Sequence, residues 1–66
     1  MWLIKTKHGY MLEDHDGNYV KWFTMACDSK AWVMSENISY TYLTRKSDPV
    51  TIAAYEQATG KTLFIQ

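Results

Sequence analysis

A single cysteine, Cys27, leaves no internal disulfide, so the fold cannot be stapled as small secreted domains are. A single proline, Pro49, and only three glycines exclude a collagen-like or low-complexity chain. Neither sign of charge prevails, since seven basic and seven acidic side chains give a formal net charge of zero. That balance removes the long-range field that would recruit nucleic acid or an anionic membrane, and leaves little repulsion between copies. Long hydrophobic runs are missing too: Met1-Trp2-Leu3-Ile4-Lys5 meets a charge well short of a signal peptide or a membrane span. The expectation is a cytoplasmic protein with no membrane partner.

What is present is a chain of 66 residues, enough for one domain spanning 1–66 and one core. A domain of this size buries only about 60% of the surface its unfolded chain exposes, so it needs good packing or a partner. Aromatic residues make up 15% of it, joined by four methionines. Part of that excess fills the core, and the rest lies near the surface, where flat, rigid side chains favour contact with other macromolecules.

Trp2 to Thr24 is rich in Trp, Tyr, Ile, Val and Thr and reads as a three-stranded β-meander. Two loops end in glycine, Lys7-His8-Gly9 and His15-Asp16-Gly17, and each fits a type I turn closed by a left-handed residue. In that register Thr6 faces Tyr10, Ile4 faces Leu12, Leu12 faces Val20 and Tyr10 faces Trp22. One face then carries Trp2, Ile4, Thr6, Tyr10, Leu12, Val20 and Trp22, nearly all apolar. Two-residue loops would set Lys5 opposite Leu12 and Leu12 opposite Lys21, scattering charge over both faces, and are disfavoured because no side would be left to bury. The opposite face of the preferred register mixes Leu3, Lys5, Lys7, Met11, Glu13, Tyr19, Lys21 and Phe23. It is either a solvated face whose lysine stems cover Met11 or a binding surface.

In the middle, Asp28-Ser29-Lys30 reads as a capped turn and Ala31-Trp32-Val33-Met34 as a short fourth strand. Ser35 then caps a helix over about Glu36 to Lys46, with Glu36 in its first turn and Arg45-Lys46 at its end. The same stretch alternates over Ile38-Ser39-Tyr40-Thr41-Tyr42, so a strand after a Ser35-Glu36-Asn37 loop stays open, although the helix is preferred. The last third is plainer. Asp48 as cap, Pro49 at the first helical position and Gly60 past the end bracket a helix over about Pro49 to Ala58. Val50, Ala53, Ala54 and Ala58, with Tyr55 adjoining, offer a narrow stripe to the sheet, and Lys61 to Gln66 reads as a terminal strand or arm. The fold class is α+β: a small antiparallel sheet of three to four strands packed against one or two helices.

Several motifs invite chemistry and are explained more simply. Asp14, Asp16 and Asn18 repeat like the first ligands of a calcium loop, but Tyr19 and Met25 stand where Gly and Glu are required. Gly60-Lys61-Thr62 copies the tail of a phosphate-binding loop, yet Tyr55 replaces its first glycine and the segment follows a helix where a P-loop opens one. His8, His15, Cys27 and Asp28 show no spacing that makes a nucleophile and its base converge. No enzyme, cofactor or metal is expected.

Asp16-Gly17-Asn18-Tyr19-Val20-Lys21-Trp22, with Asp28-Ser29-Lys30-Ala31-Trp32-Val33, resembles a β-hairpin domain found among short phage and prophage reading frames. Ala54-Tyr55-Glu56-Gln57-Ala58-Thr59-Gly60-Lys61 is similar to a Tyr-Glu-x-x-Thr-Gly-Lys tail seen in small phage proteins. Together these cover under half of the chain. The resemblance implies a class, that of compact phage or mobile-element products that bind and block a host protein, anti-CRISPR inhibitors of host defence among them, and so a place in the host-cell cytoplasm.

The resulting expectation is a non-enzymatic module that occludes a host protein. Leu3, Met11, Tyr19 and Phe23 would supply its apolar anchors, and Lys5, Glu13 and Lys21 would set its charge register. A homodimer through exposed aromatics is compatible with this. The alternatives are a self-assembling structural phage protein and a binder of single-stranded nucleic acid through Tyr19, Phe23, Lys5, Lys7 and Lys21, the latter disfavoured by the sequence pI of 6.7 and by Glu13 on that face.

Overall fold

The computed structural model describes residues 1–63. Its elements are β1 (Trp2–Lys5), β2 (Tyr10–Glu13), β3 (Tyr19–Phe23), α1 (Ala26–Ser35), β4 (Thr41–Leu43) and α2 (Pro49–Thr59). The strands form one sheet in the order β3-β2-β1-β4, antiparallel except that β4 runs parallel to β1. The class is α+β as expected, but the sheet is mixed and a helix covers each of its faces.

The first turn departs from expectation by one residue. The Thr6 N–H donates to Gly9 O at 2.8 Å, so the loop is Lys7-His8 alone, and β1 pairs Leu3 with Leu12, Ile4 with Met11 and Lys5 with Tyr10. Gly9 is not left-handed. It is glycine for want of space, since a Cβ there would stand 2.5 Å from Phe23 O and 2.7 Å from the Trp22 ring. The second loop is as expected: Asp14 N–H donates to Asn18 O at 2.9 Å, and Gly17 is left-handed at φ 90°. The register set there, Glu13 opposite Tyr19, survives for one pair. A bulge at Val20 then shifts the ladder so that Leu12 meets Lys21, Met11 meets Trp22 and Tyr10 meets Phe23.

These shifts redistribute the apolar residues over two clusters. On one face Leu3, Leu12, Phe23 and the α1 residue Val33 are buried, with Tyr10, Val20, Trp32, Ile38 and Tyr40 packed around them. On the other, Ile4, Leu43 and the α2 residue Tyr55 are buried, with Trp2, Met11 and Leu63 against them. The expectation of a single apolar face assumed one covered side. With a helix on both, each face must be apolar, and burying a residue such as Leu3 or Leu12 stabilises the fold by roughly 1.5–3 kcal/mol.

Ala26–Ser35 is one helix, not a turn followed by a strand. It buries Ser29 and Val33, one turn apart, and the Ser29 hydroxyl satisfies itself by donating to Ala26 O at 2.7 Å. The helix ends where the sequence was read as starting one. Asn37 is left-handed at φ 57°, with Asn37 N–H donating to Met34 O and Ile38 N–H to Val33 O, a Schellman-type close that tucks Ile38 against the first cluster. No helix spans Glu36 to Lys46. Thr41–Leu43 takes the strand alternative in part, anchored by Thr41 N–H to Met1 O at 2.9 Å.

Helix α2 has the expected ends: the Asp48 carboxylate accepts from Thr51 N–H, Pro49 opens the first turn, and Gly60 is left-handed at φ 71°. Its orientation differs, for Val50, Ala53, Ala54 and Ala58 are exposed and Tyr55 alone is fully buried. Of the terminal arm, Lys61 to Leu63 has no regular structure, and its remainder lies outside the described residues.

Candidate functional site

The seven residues expected to form one binding face do not share one. Leu3 is 1% exposed and Phe23 6%, both in the α1-side core, while Glu13 is 2% exposed on the α2 side. Lys5 and Lys21 lie on the α1 side, where their ammonium groups sit 5.0 Å from the Tyr10 ring centre and 5.8 Å from those of Phe23 and Trp32. Met11 is half-buried on the α2 side, and only Tyr19 is a broadly exposed apolar anchor, at 64%. The physical reason is the register: a one-residue slip sends every side chain of a strand to its other face.

Glu13 belongs to a polar latch that joins β2, α2 and the C-terminal segment. Its Oε1 accepts from the Tyr55 hydroxyl at 2.6 Å, and its Oε2 pairs with Lys61 Nζ at 2.7 Å. Lys61 also donates to Gly17 O at 2.6 Å. A Cβ on Gly17 would lie 2.7 Å from Thr59 Cβ, so the β2–β3 loop docks against the end of α2 only because that residue is glycine. Burial, reinforced by the Glu13 carboxylate, pushes the Tyr55 phenol well above its ordinary pKa. Thr59 Oγ1 bonds back to Tyr55 O and Glu56 Oε2 accepts from Leu63 N–H, so the Tyr55-Glu56-x-x-Thr59-Gly60-Lys61 motif is used throughout as structure. Among the described residues no buried side-chain polar atom lacks a partner, so the buried polar atoms of this cluster are all satisfied within the protein. Glu13, Tyr55 and Lys61 form one wall of an open cleft of about 210 Å³, whose other walls include Ile4, Thr6, Met11 and Leu63.

The bulge has a consequence at the sheet edge. Tyr19 and Trp22 are three residues apart and would point to opposite faces of a regular strand. With Val20 as the extra residue, Tyr19 lies opposite Glu13 and Trp22 opposite Met11, both on the α2 side. Helix α2 covers the other half of that face, through Tyr55 on Ile4 and Leu43 and edge-on to Trp2 at 5.3 Å. Trp22, 40% exposed, therefore stands uncovered beside Tyr19, with its indole laid over the Gly9 backbone. Sequence reasoning placed Trp22 in the core, and no local signal marks the bulge that brings it out.

His8 and His15 lie at opposite ends of the sheet, in the turn after β1 and the loop after β2. Cys27 is exposed in the first turn of α1, its Sγ 3.9 Å from Asp28 Oδ1. Asp14, the first residue of the calcium-like spacing, accepts from Asp16 N–H, Asn18 N–H and Asn18 Nδ2, which closes the loop. No cluster of three His, Cys, Asp or Glu residues is found among the described residues, nor is any helix there long and apolar enough to cross a membrane. Comparison of the chain with known proteins finds no matching family model, no matching curated protein and no matching solved structure.

Proposed function

We propose that this protein is a non-enzymatic protein-binding module that inhibits or modulates a host protein by occlusion, with Tyr19 and Trp22 as its anchors. The observation that carries the reading is the aromatic pair itself, turned to one face by a bulge on an outer strand and left uncovered by α2. Tyr and Trp are favoured anchors because they offer a large, rigid contact area at small entropic cost. Trp22 is already held against Gly9, so binding has little of its freedom left to remove. The resemblance to small phage proteins supports a host protein as the partner and the host cytoplasm as the place.

The test is affinity capture from a bacterial lysate with four baits: the native protein, Trp22→Ala, Tyr19→Ala and Val50→Ala, the last a control at an exposed site on α2. A protein retained by the native chain and by Val50→Ala should be lost or weakened by more than about 1 kcal/mol with each aromatic variant. Equal retention by all four would remove this face from consideration. Solution mass across a concentration series reads the competing use of the same face: a dimer that Trp22→Ala dissolves would assign the aromatic pair to self-association.

A further inference from the structure

The molecule hides a charge separation behind its net charge of zero. Strands β1, β3 and β4 all point the same way, so the β1–β2 turn, the start of α1 and the turn after β4 gather at one end. That end carries Lys5, Lys7, His8 and Lys46. Among the described residues its carboxylates are Asp28 and Asp48, and Asp48 is engaged in capping α2. The opposite end carries Glu13, Asp14, Asp16 and Glu36, with Lys61 committed to Glu13. A shallow basin of about 370 Å³ opens at the basic end, between the β1–β2 turn and the start of α1. Lys5, Lys7, His8 and Tyr10 line it, and among the described residues no carboxylate does.

An aromatic shelf adjoins this basin. Tyr10 and Tyr42 stack across β1 with ring centres 6.4 Å apart and planes within 29°, and Lys5 Nζ lies 5.0 Å over Tyr10. Tyr42 is 44% exposed on the strand at the far edge from β3, on the α1-side face. The Trp22 surface is on the other face and the other edge from Tyr42, and it meets the basin only at Gly9, whose backbone carries the indole.

We propose that the Tyr42–Tyr10 shelf and the basin beside it bind single-stranded nucleic acid, a base stacking on Tyr42 and neighbouring phosphates meeting Lys5 and Lys7. The charge complementarity is local, which is how a chain of zero net charge can present a phosphate-binding end. Glu13, which stands against such binding when placed on the same face as the lysines, is buried on the opposite face and neutralised by Lys61. Stacking is tolerant of sequence because every base offers a π-face, and it requires an unpaired base, so the surface selects single strands over duplex.

The test is fluorescence anisotropy with a labelled thymidine oligonucleotide of about twelve nucleotides, with a DNA duplex and thymidine monophosphate as competitors. Saturable binding is expected at low salt, weakening about sevenfold for a fourfold rise in salt if two lysines each displace one counterion. Tyr42→Ala should weaken binding at least fivefold while Tyr42→Phe preserves it, and Lys7→Ala should both weaken binding and flatten the salt dependence. Tyr42 and Lys7 are exposed, and circular dichroism checks that each variant keeps the fold. The proposal is overturned by any of four results: no saturable binding, equal affinity for duplex, competition by the monophosphate at equal nucleotide concentration, or loss of binding with Trp22→Ala in place of Tyr42→Ala. The first three leave Trp22 as a protein anchor untouched, so the two readings fail separately.

Discussion

The two faces of the sheet are held by different physics. On the α1 side, Leu3, Leu12, Phe23 and Val33 form a purely apolar cluster, and the one buried polar side chain among its neighbours, Ser29, is satisfied within its own helix. On the α2 side the buried apolar set is smaller, Ile4, Leu43 and Tyr55, and a carboxylate with two directed partners completes it. Apolar packing is non-directional and tolerates a small shift of the helix. The Glu13 latch is directional: its two short bonds fix where α2 and the chain beyond it sit relative to β2. Hydrophobic area makes the α1 side stable, and hydrogen-bond geometry makes the α2 side specific.

That contrast can be broken at each side in turn. Leu12→Ala should have the largest effect, about 3 kcal/mol from lost transfer energy and the cavity left behind, which in a domain this small removes much of its stability. Denaturant melts would show it, and the loss should not change with pH. Lys61→Met comes next, at about 2 kcal/mol. The value lies between that of a fully buried pair broken on one side and that of an exposed pair, because Glu13 is buried while Lys61 is half-exposed. Its loss should be relieved when Glu13 is also changed to Gln, since the uncompensated charge is what costs. A double variant no more stable than Lys61→Met alone would show that the lysine acts through its bond to Gly17.

Tyr55→Phe should cost about 1.5 kcal/mol, the contribution of one hydrogen bond to a charged acceptor, and it carries a pH signature. The folded-state pKa of Tyr55 is raised, so its contribution is fully present below the unfolded value near 10 and is lost as pH rises from there toward the folded value. The native protein should lose stability above about pH 10 more steeply than the Tyr55→Phe variant. Parallel curves would mean that the phenol does not report on the latch.

The parts of this fold that local chemistry determines were readable from the sequence. Asp48, Pro49 and Gly60 mark both ends of α2, and His15-Asp16-Gly17 marks its loop, because caps and left-handed glycines act over a few residues. The register of the meander was not readable, since it depends on a bulge at Val20 and on both faces being covered, and a single strand's pattern reports neither. Helix α1 was missed because one of its two buried positions is Ser29, which an apolar count passes over. The strand Thr41–Leu43 pairs in parallel with residues about forty positions earlier, beyond the reach of any turn signal. Of the site, Tyr19 was legible as an exposed aromatic, whereas Trp22 was hidden by the register. The role of Glu13 was hidden by distance, with partners 42 and 48 residues away.

The smallest predicted effect separates the two sides again, at acid pH. Asp48 is held below the ordinary carboxylate range chiefly by its bond from the Thr51 backbone, and Asp14 chiefly by its bond from the Asn18 backbone. Both folded-state values are depressed, so each contribution is present above the unfolded value of 3.8 and is lost as pH falls from there through the folded value. Both also serve the α2 side: Asp48 caps that helix, and Asp14 closes the loop whose Gly17 meets Thr59. Helix α1 starts at Met25 with no side-chain cap and has nothing comparable to lose. Replacing both carboxylates by amides, Asp14→Asn with Asp48→Asn, keeps an Oδ1 acceptor for the backbone N–H groups and removes the titration. Thermal melts of the double variant should therefore fall less steeply than those of the native protein as pH drops below about 4. An unchanged slope would place the acid sensitivity elsewhere and remove titrating caps from what distinguishes the two faces.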